Sequence, residues 1–202
     1  MTRAESDTRP SAARLRLLTT ATRIFYAEGI HSVGVDRIIA EAKVTRATFY
    51  RHFPSKDDLI LAYLREVHQL DRGTVDAAVA ADPSPVAPLL AIAGSIAEGI
   101  QSPGFRGCAF LNAAAEYPDT DHPVRQEIIA HRQWFLDTLT MLMAQVHEET
   151  AEPAARHFVM LRDGAMAAGC LFDPALVSET FLRGIDGLLE INADRRSTES
   201  AR

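Results

Sequence analysis

The chain predicts an all-α protein of about nine helices. Apolar residues recur at three- and four-residue intervals along most of its length, and no stretch alternates polar and apolar between turn residues. Clusters of Gly, Pro and Asp cut the pattern into helix-sized pieces. With 202 residues, 47% hydrophobic and 24% charged, it can bury the core of one large or two small domains.

The first helix starts at the cap Ser11, carries Leu15, Leu18, Ala21 and Phe25 on one face, and stops at Gly29, which suits a left-handed position after a helix end. "GVDRIIAEA" makes a short second helix with Ile38 and Ala42 on one face. "TRATFYRHF" makes a third after a break of two or three residues at Lys43 and Val44. Pro54 ends the third, because a proline pushes the residue before it out of the helical region. Ser55 and Asp58, three apart, cap a long fourth helix that runs to about Ala80. "DPSPVAP" at 82 to 88 is the clearest break. Beyond it the spacing predicts helices at roughly 85–101, 107–117, 122–150, 153–169 and 175–192, the third and fourth of them separated at a Glu152-Pro153 corner. The polar tail "DRRSTESAR" is expected to fray.

Charge divides the chain. Of its 21 Lys and Arg and 27 Asp and Glu, ten cations and only five acids fall in residues 1 to 56, a net of +5 against −11 for the rest. A basic head on an acidic body suits docking on a polyanion. No apolar run approaches the ~18 residues that span a bilayer, and the polar start "MTRAESDTRPSA" has no hydrophobic segment behind it, which leads to a cytoplasmic reading without membrane contact. Cys108 and Cys170 lie far apart with no C-x-x-C, so both read as buried reduced thiols.

Two short helices joined by a tight break form a helix-turn-helix, whose second member can enter a major groove ~12 Å wide. Thr45 caps that helix where backbone N–H groups favour an anion. Arg46 and Thr48 sit near its entrance and can reach base edges, and Tyr50, Arg51, His52 and Lys56 are placed for phosphates. Arg37 and Lys43 complete the candidate DNA-binding set. Phe49 and Phe53 supply the apolar side, which leaves Arg46, Tyr50 and Arg51 off the core face.

"RIFYAEGIHSVGVDRIIAEAKVTRATFYRHFPSKDDLI" resembles the DNA-binding region of the TetR/AcrR family of bacterial repressors, in its aromatic-x-x-x-Gly, its I-A helix, its "T-x-x-T-[LF]-Y-x-H-F" and its "S-K-x-x-L". The match covers about residues 11 to 61. "GCAFLNAAAEYPD" and "LRDGA" look like one of the family's ligand-domain subgroups. The family usually has Gly where this chain has Lys43, and Thr or Ser where it has Gly34. A Lys at positive φ costs on the order of 1 kcal/mol relative to Gly, which a phosphate contact could repay.

The resemblance implies residues 1 to 56 as DNA-binding domain, with 1 to 10 a flexible arm, and 57 to 202 as a ligand-binding and dimerisation domain. One helix-turn-helix reads too few base pairs by itself, so a two-fold pair is expected. The last two helices are apolar over wide faces, carry Gly164, Gly169, Gly184 and Gly187, and suit a homodimer interface. The resemblance also implies an effector cavity in the body. Candidate lining residues are Phe105, Phe110, Trp134, Phe135 and Met166 as walls, with Asn112, Glu116 and Asp163 as polar anchors, a mainly hydrophobic site. Any of these can equally be core or a cap on a neighbouring helix end.

The leading reading is a homodimeric, non-enzymatic repressor without a cofactor, binding a palindromic operator and released by a small, largely hydrophobic effector. Sequence is silent on repression against activation. A helical metal carrier or enzyme using Glu116, Glu127 and His131 is the alternative, although Glu127 and His131 on a charged face are more often exposed and no second histidine completes a set. A non-specific DNA-binding protein is a third, which predicts equal affinity for operator and random duplex at matched salt.

Overall fold

The computed structural model describes the backbone of residues 11 to 199 and the side chains of 11 to 192. The expected flexible arm lies outside the described residues. Among them there are nine α-helices and no strand. The chain divides into two compact units, Met1–Leu64 and Arg65–Arg202.

The first unit holds α1 (Ala12–Glu28), α2 (Val35–Ala42), α3 (Arg46–His52) and the start of α4 (Lys56–Ala81). The Ser11 hydroxyl accepts from the Arg14 amide, as an N-cap should. Gly29 has the positive φ expected of a glycine stop, but its ψ of 156° carries the chain outward as extended backbone, not into the left-handed helical basin. Leu17, Ile24, Ile38, Phe49 and Leu59, at least one from each of the four helices, are fully buried. Each such side chain contributes about 1.5–3 kcal/mol by leaving water. Arg16 donates to the carbonyl of Ala42 at the end of α2, satisfying an orphan acceptor there. Pro54 ends α3. Ser55 and Asp58 then cap each other's amides, opening α4.

The second unit continues with α5 (Ala87–Gln101), α6 (Ala109–Glu116), α7 (Pro123–Val146), α8 (Ala151–Ala168) and α9 (Pro174–Glu199). α5, α7, α8 and α9 pack around Leu89, Ile92, Leu139, Phe158 and Ile185, and α6 lies against α7. Gly169 is needed at its place. A Cβ there would sit 2.7 Å from Ile100 and 3.1 Å from Phe105. Gly164 and Gly187 instead face open space.

Three of the departures from the spacing have a local cause. α7 ends at Val146, not 150, because His147 turns extended and its ring meets the Thr150 hydroxyl, which donates in turn to Asn192. Glu152-Pro153 is therefore not the corner. Pro153 lies in the first turn of α8, where an amide would have no acceptor in any case. α9 runs on to Glu199 instead of ending at 192, since no Gly or Pro stops a run of serviceable helix formers. No helix among the described residues is long and apolar enough to cross a membrane.

Candidate functional site

The turn between α2 and α3 is made by Lys43, at φ 53° and ψ 50°, the one non-glycine residue with positive φ among those described. Its amide donates to Ala40 and the amide of Val44 to Ile39, closing α2. The Thr45 hydroxyl then accepts from the Thr48 amide at 3.1 Å and caps α3. Phe49 and Phe53 are buried, and Tyr50 stands edge-on to Phe49 with its ring exposed. Thr45, Arg46, Tyr50 and Arg51 face solvent and Thr48 is half-buried.

The cations of this unit fall into two kinds. Lys43 and Arg51 make no ion pair among the described residues, and Arg46 is 59% exposed with its guanidinium on Asp36. Arg37 lies between Glu28 and Glu41, to the second of which Arg23 also binds. The Arg37 hydrogen bond holds the Glu28 carboxyl below the usual range, and Arg23 together with Arg37 does the same for Glu41. Lys56 donates to the Ile30 carbonyl at 2.6 Å and lies over Phe25, and His52 meets the Ser11 hydroxyl at 3.0 Å. Arg37, His52 and Lys56, expected at DNA, thus also tie the first unit together.

In the second unit a cavity of about 200 Å3 opens among α4, α5, α7 and α8. Val75, Ile92, Ile96, Phe135 and Met166 make it apolar, Thr74 and Ser95 lie at its exposed rim, and Asp71 and Arg162 bring charge to it. Arg162 is buried. It donates to Asp163 at 2.9 Å and to the Cys108 sulfur at 3.5 Å, and stacks 5.1 Å above Phe135. Asp163 in turn holds Arg132 through both its oxygens. Behind Asp71, 3.7 Å from its carboxylate, lies the ring of His131, only 3% exposed and stacked at 3.5 Å on Phe110. Its Nδ1 is 2.9 Å from Nδ1 of His68. Burial first, then His68, Arg162 and Arg132, push the His131 pKa down to about 3.

Of the eight side chains expected at an effector, Phe135 and Met166 line this cavity and six do not. Phe110 is under His131, Phe105 packs on the core beside Gly169, and Trp134 is flanked by His68 and Arg72. Glu116 is half-buried on α6. Asn112 is exposed and donates to the Arg106 carbonyl, pinning the loop before α6, and Asp163 is taken by two arginines. α6 is a short helix on the outside of α7, so its polar side faces away. His131 is also not on a charged outer face as expected, and a second histidine does meet it, from α4. Glu127 is paired with Arg65, and no three His, Cys, Asp or Glu among the described residues are placed to hold a metal ion. Cys108 is buried as expected, whereas Cys170 is exposed. On α8, α9 and the turn between them, Met160, Gly164, Ala168, Phe172, Leu176 and Thr180 line an apolar groove at four-residue intervals, with Phe172 68% exposed.

Residues 17 to 63 match the family model described as "Bacterial regulatory proteins, tetR family". A TetR-family transcriptional regulator of Streptomyces coelicolor, known from its crystal structure, is 65% identical, with 90% of this chain and 96% of that one covered and a TM-score of 0.88. The chain belongs to the TetR family of transcriptional regulators. The transcriptional regulator AcuR of Cereibacter sphaeroides is 27% identical over 188 residues, 89% of this chain and 75% of that one. The transcriptional activator FasR of Mycolicibacterium smegmatis is 41% identical over 61 residues, 30% of this chain and 28% of that one. The TetR family match begins inside α1 and ends in α4, so it takes in the whole helix-turn-helix and its capping residues. This TetR-family regulator is a DNA-binding protein.

The cavity's polar residues, Asp71, Thr74, Ser95 and Arg162, were not legible as such. One signal was available for Arg162, which stands in the buried register of α8 between Phe158 and Ala165.

Proposed function

We propose that the chain is a homodimeric repressor, acting in the cytoplasm on a palindromic operator and released by a small molecule. Residues 1 to 56 read DNA and 57 to 202 sense and pair. The observation that carries this is the outward face of α3. Thr45, Arg46, Tyr50 and Arg51 are exposed on a capped helix whose other side, Phe49, is wholly buried. In this reading Arg46 and Thr48 read bases, and Lys43, Tyr50, Arg51, His52 and Lys56 contact phosphates, with Arg37 holding α2 in place beside them. The apolar groove of α8 and α9 supports pairing of two chains there, Gly164 allowing close approach. The cavity of the second unit supports a ligand. Release requires that the effector prefer the state that does not bind DNA, and roughly 5.5 kcal/mol of preference moves the equilibrium from almost all bound to almost all free.

The test is selection of bound fragments from the source genome, followed by titration of the recovered site and of a scrambled duplex at two salt concentrations. A symmetric site with half-sites about ten base pairs apart, preferred at least a hundredfold, is expected. Equal affinity for both duplexes at matched salt overturns the reading, and a reporter gene that rises with the protein present makes it an activator.

A further inference from the structure

The charges around the body cavity do not cancel without Asp71. Arg132 and Arg162 share one carboxylate, that of Asp163, so the pair of guanidiniums keeps one positive charge. Asp71, on the cavity wall, is the other acid near them. A guanidinium cannot shed its proton, but a carboxyl can take one up. Burial already raises the Asp71 pKa, with Arg162 opposing. Arg162 has five N–H donors, and its acceptors include a thiol sulfur, a weak one. An anion entering the cavity therefore meets a permanent cation with donors to spare, while Asp71 can become neutral. A cationic ligand would face the permanent charge of Arg162 and have to take Asp71 from its side of the balance.

We propose that the cavity takes a small monocarboxylate, its carboxylate on Arg162 and its apolar end among Val75, Ile92, Ile96 and Met166. Size follows from the space. A dry cavity of about 150 Å3 accepts benzene, so one of this size suits an acid of roughly eight to ten non-hydrogen atoms. This rests on the effector reading above and sharpens it, since an uncharged hydrophobic ligand would leave the spare donors of Arg162, which shares its Asp163 carboxylate with Arg132, without a further acceptor.

Calorimetric titration of the full chain with benzoate and hexanoate, beside benzamide, hexanamide and hexylamine, tests it. The carboxylates are expected to bind at least tenfold more tightly than their amides, and Arg162→Met to erase that difference. Gly99→Leu covers the case in which Arg162→Met does not fold. Gly99 lines the cavity and a Cβ there meets nothing within 4 Å, so the variant should fold normally and lose the carboxylates. Equal binding of acid and amide, preference for hexylamine, no binding by any probe, or carboxylate binding that survives Gly99→Leu each overturns the proposal. Carboxylate binding that leaves the operator complex intact would sink the effector reading and leave the site standing.

Discussion

Arg46, at the first position of α3, is ion-paired with Asp36 in the first turn of α2. Both side chains are largely exposed, so the pair adds at most about 1 kcal/mol to stability. Its interest is in competition. A base edge or phosphate that wants the Arg46 guanidinium must take it from Asp36.

Asp36→Asn should therefore tighten binding to duplex DNA, by anisotropy titration, with the melting midpoint almost unmoved. Arg46→Ala should cost about 1–3 kcal/mol on the preferred operator and relax the choice of base at one position. Unchanged base preference in Arg46→Ala would remove Arg46 from the reading set.

Lys43→Gly should act in opposite directions on two measurements. Relief of the left-handed backbone should stabilise the first unit by about 1 kcal/mol in urea denaturation. Loss of the cation should weaken every duplex alike and lower the salt slope by about one. A variant that binds as tightly as the parent would leave Lys43 with no phosphate contact.

Asp58→Ala removes one half of the reciprocal cap at the start of α4, where Ser55 and Asp58 each accept from the other's amide. A loss of about 1 kcal/mol is expected by denaturation. Asp58→Asn keeps an acceptor and should recover most of it. Equal losses for the two would show that charge at the helix start, and not the hydrogen bond, is what counts.

Acid should destabilise the protein through His131. Unfolded, this imidazole takes up a proton near its ordinary 6.5, whereas folded it waits until about 3. The stability it contributes is complete above 6.5 and is lost as pH falls from there toward 3, at up to roughly 1.4 kcal/mol per pH unit. His68, shifted in the same direction by burial, adds to the slope. His131→Gln should flatten the dependence of denaturation midpoint on pH. An identical slope in the variant would assign acid sensitivity to other groups.

Phe172→Glu places a charge in the exposed apolar groove of α8 and α9. If two chains pair there, loss of a central aromatic contact costs at least about 2 kcal/mol, some thirtyfold in dimer dissociation by sedimentation. Operator affinity should fall with it. A variant that sediments as the parent does would move the interface elsewhere.

What could be read in the residues depended on how far apart the partners stood. Ser11, Thr45, Pro54 and the Ser55–Asp58 cap act within four residues of themselves, so spacing alone located the helix ends that aim α3. The same short range explains why the Lys43 turn could be found. The body resisted. His68 and His131 are 63 positions apart, and Arg162 meets Cys108 across 54, so no local pattern could pair them. Asn112 misled because a polar group on an apolar helix is read as facing a cavity, whereas a short outer helix turns that side to water. Pro153 misled because a proline is an equally good helix opener and helix breaker.

The contrast between the two thiols gives the chain a chemical handle. Cys170 is open to solvent just past α8, while Cys108 lies inside against Arg162. A maleimide dye offered to the native protein should attach once per chain, next to Gly107 in the loop before α6, without any engineered residue. Its emission could then follow events at that end of the body in real time.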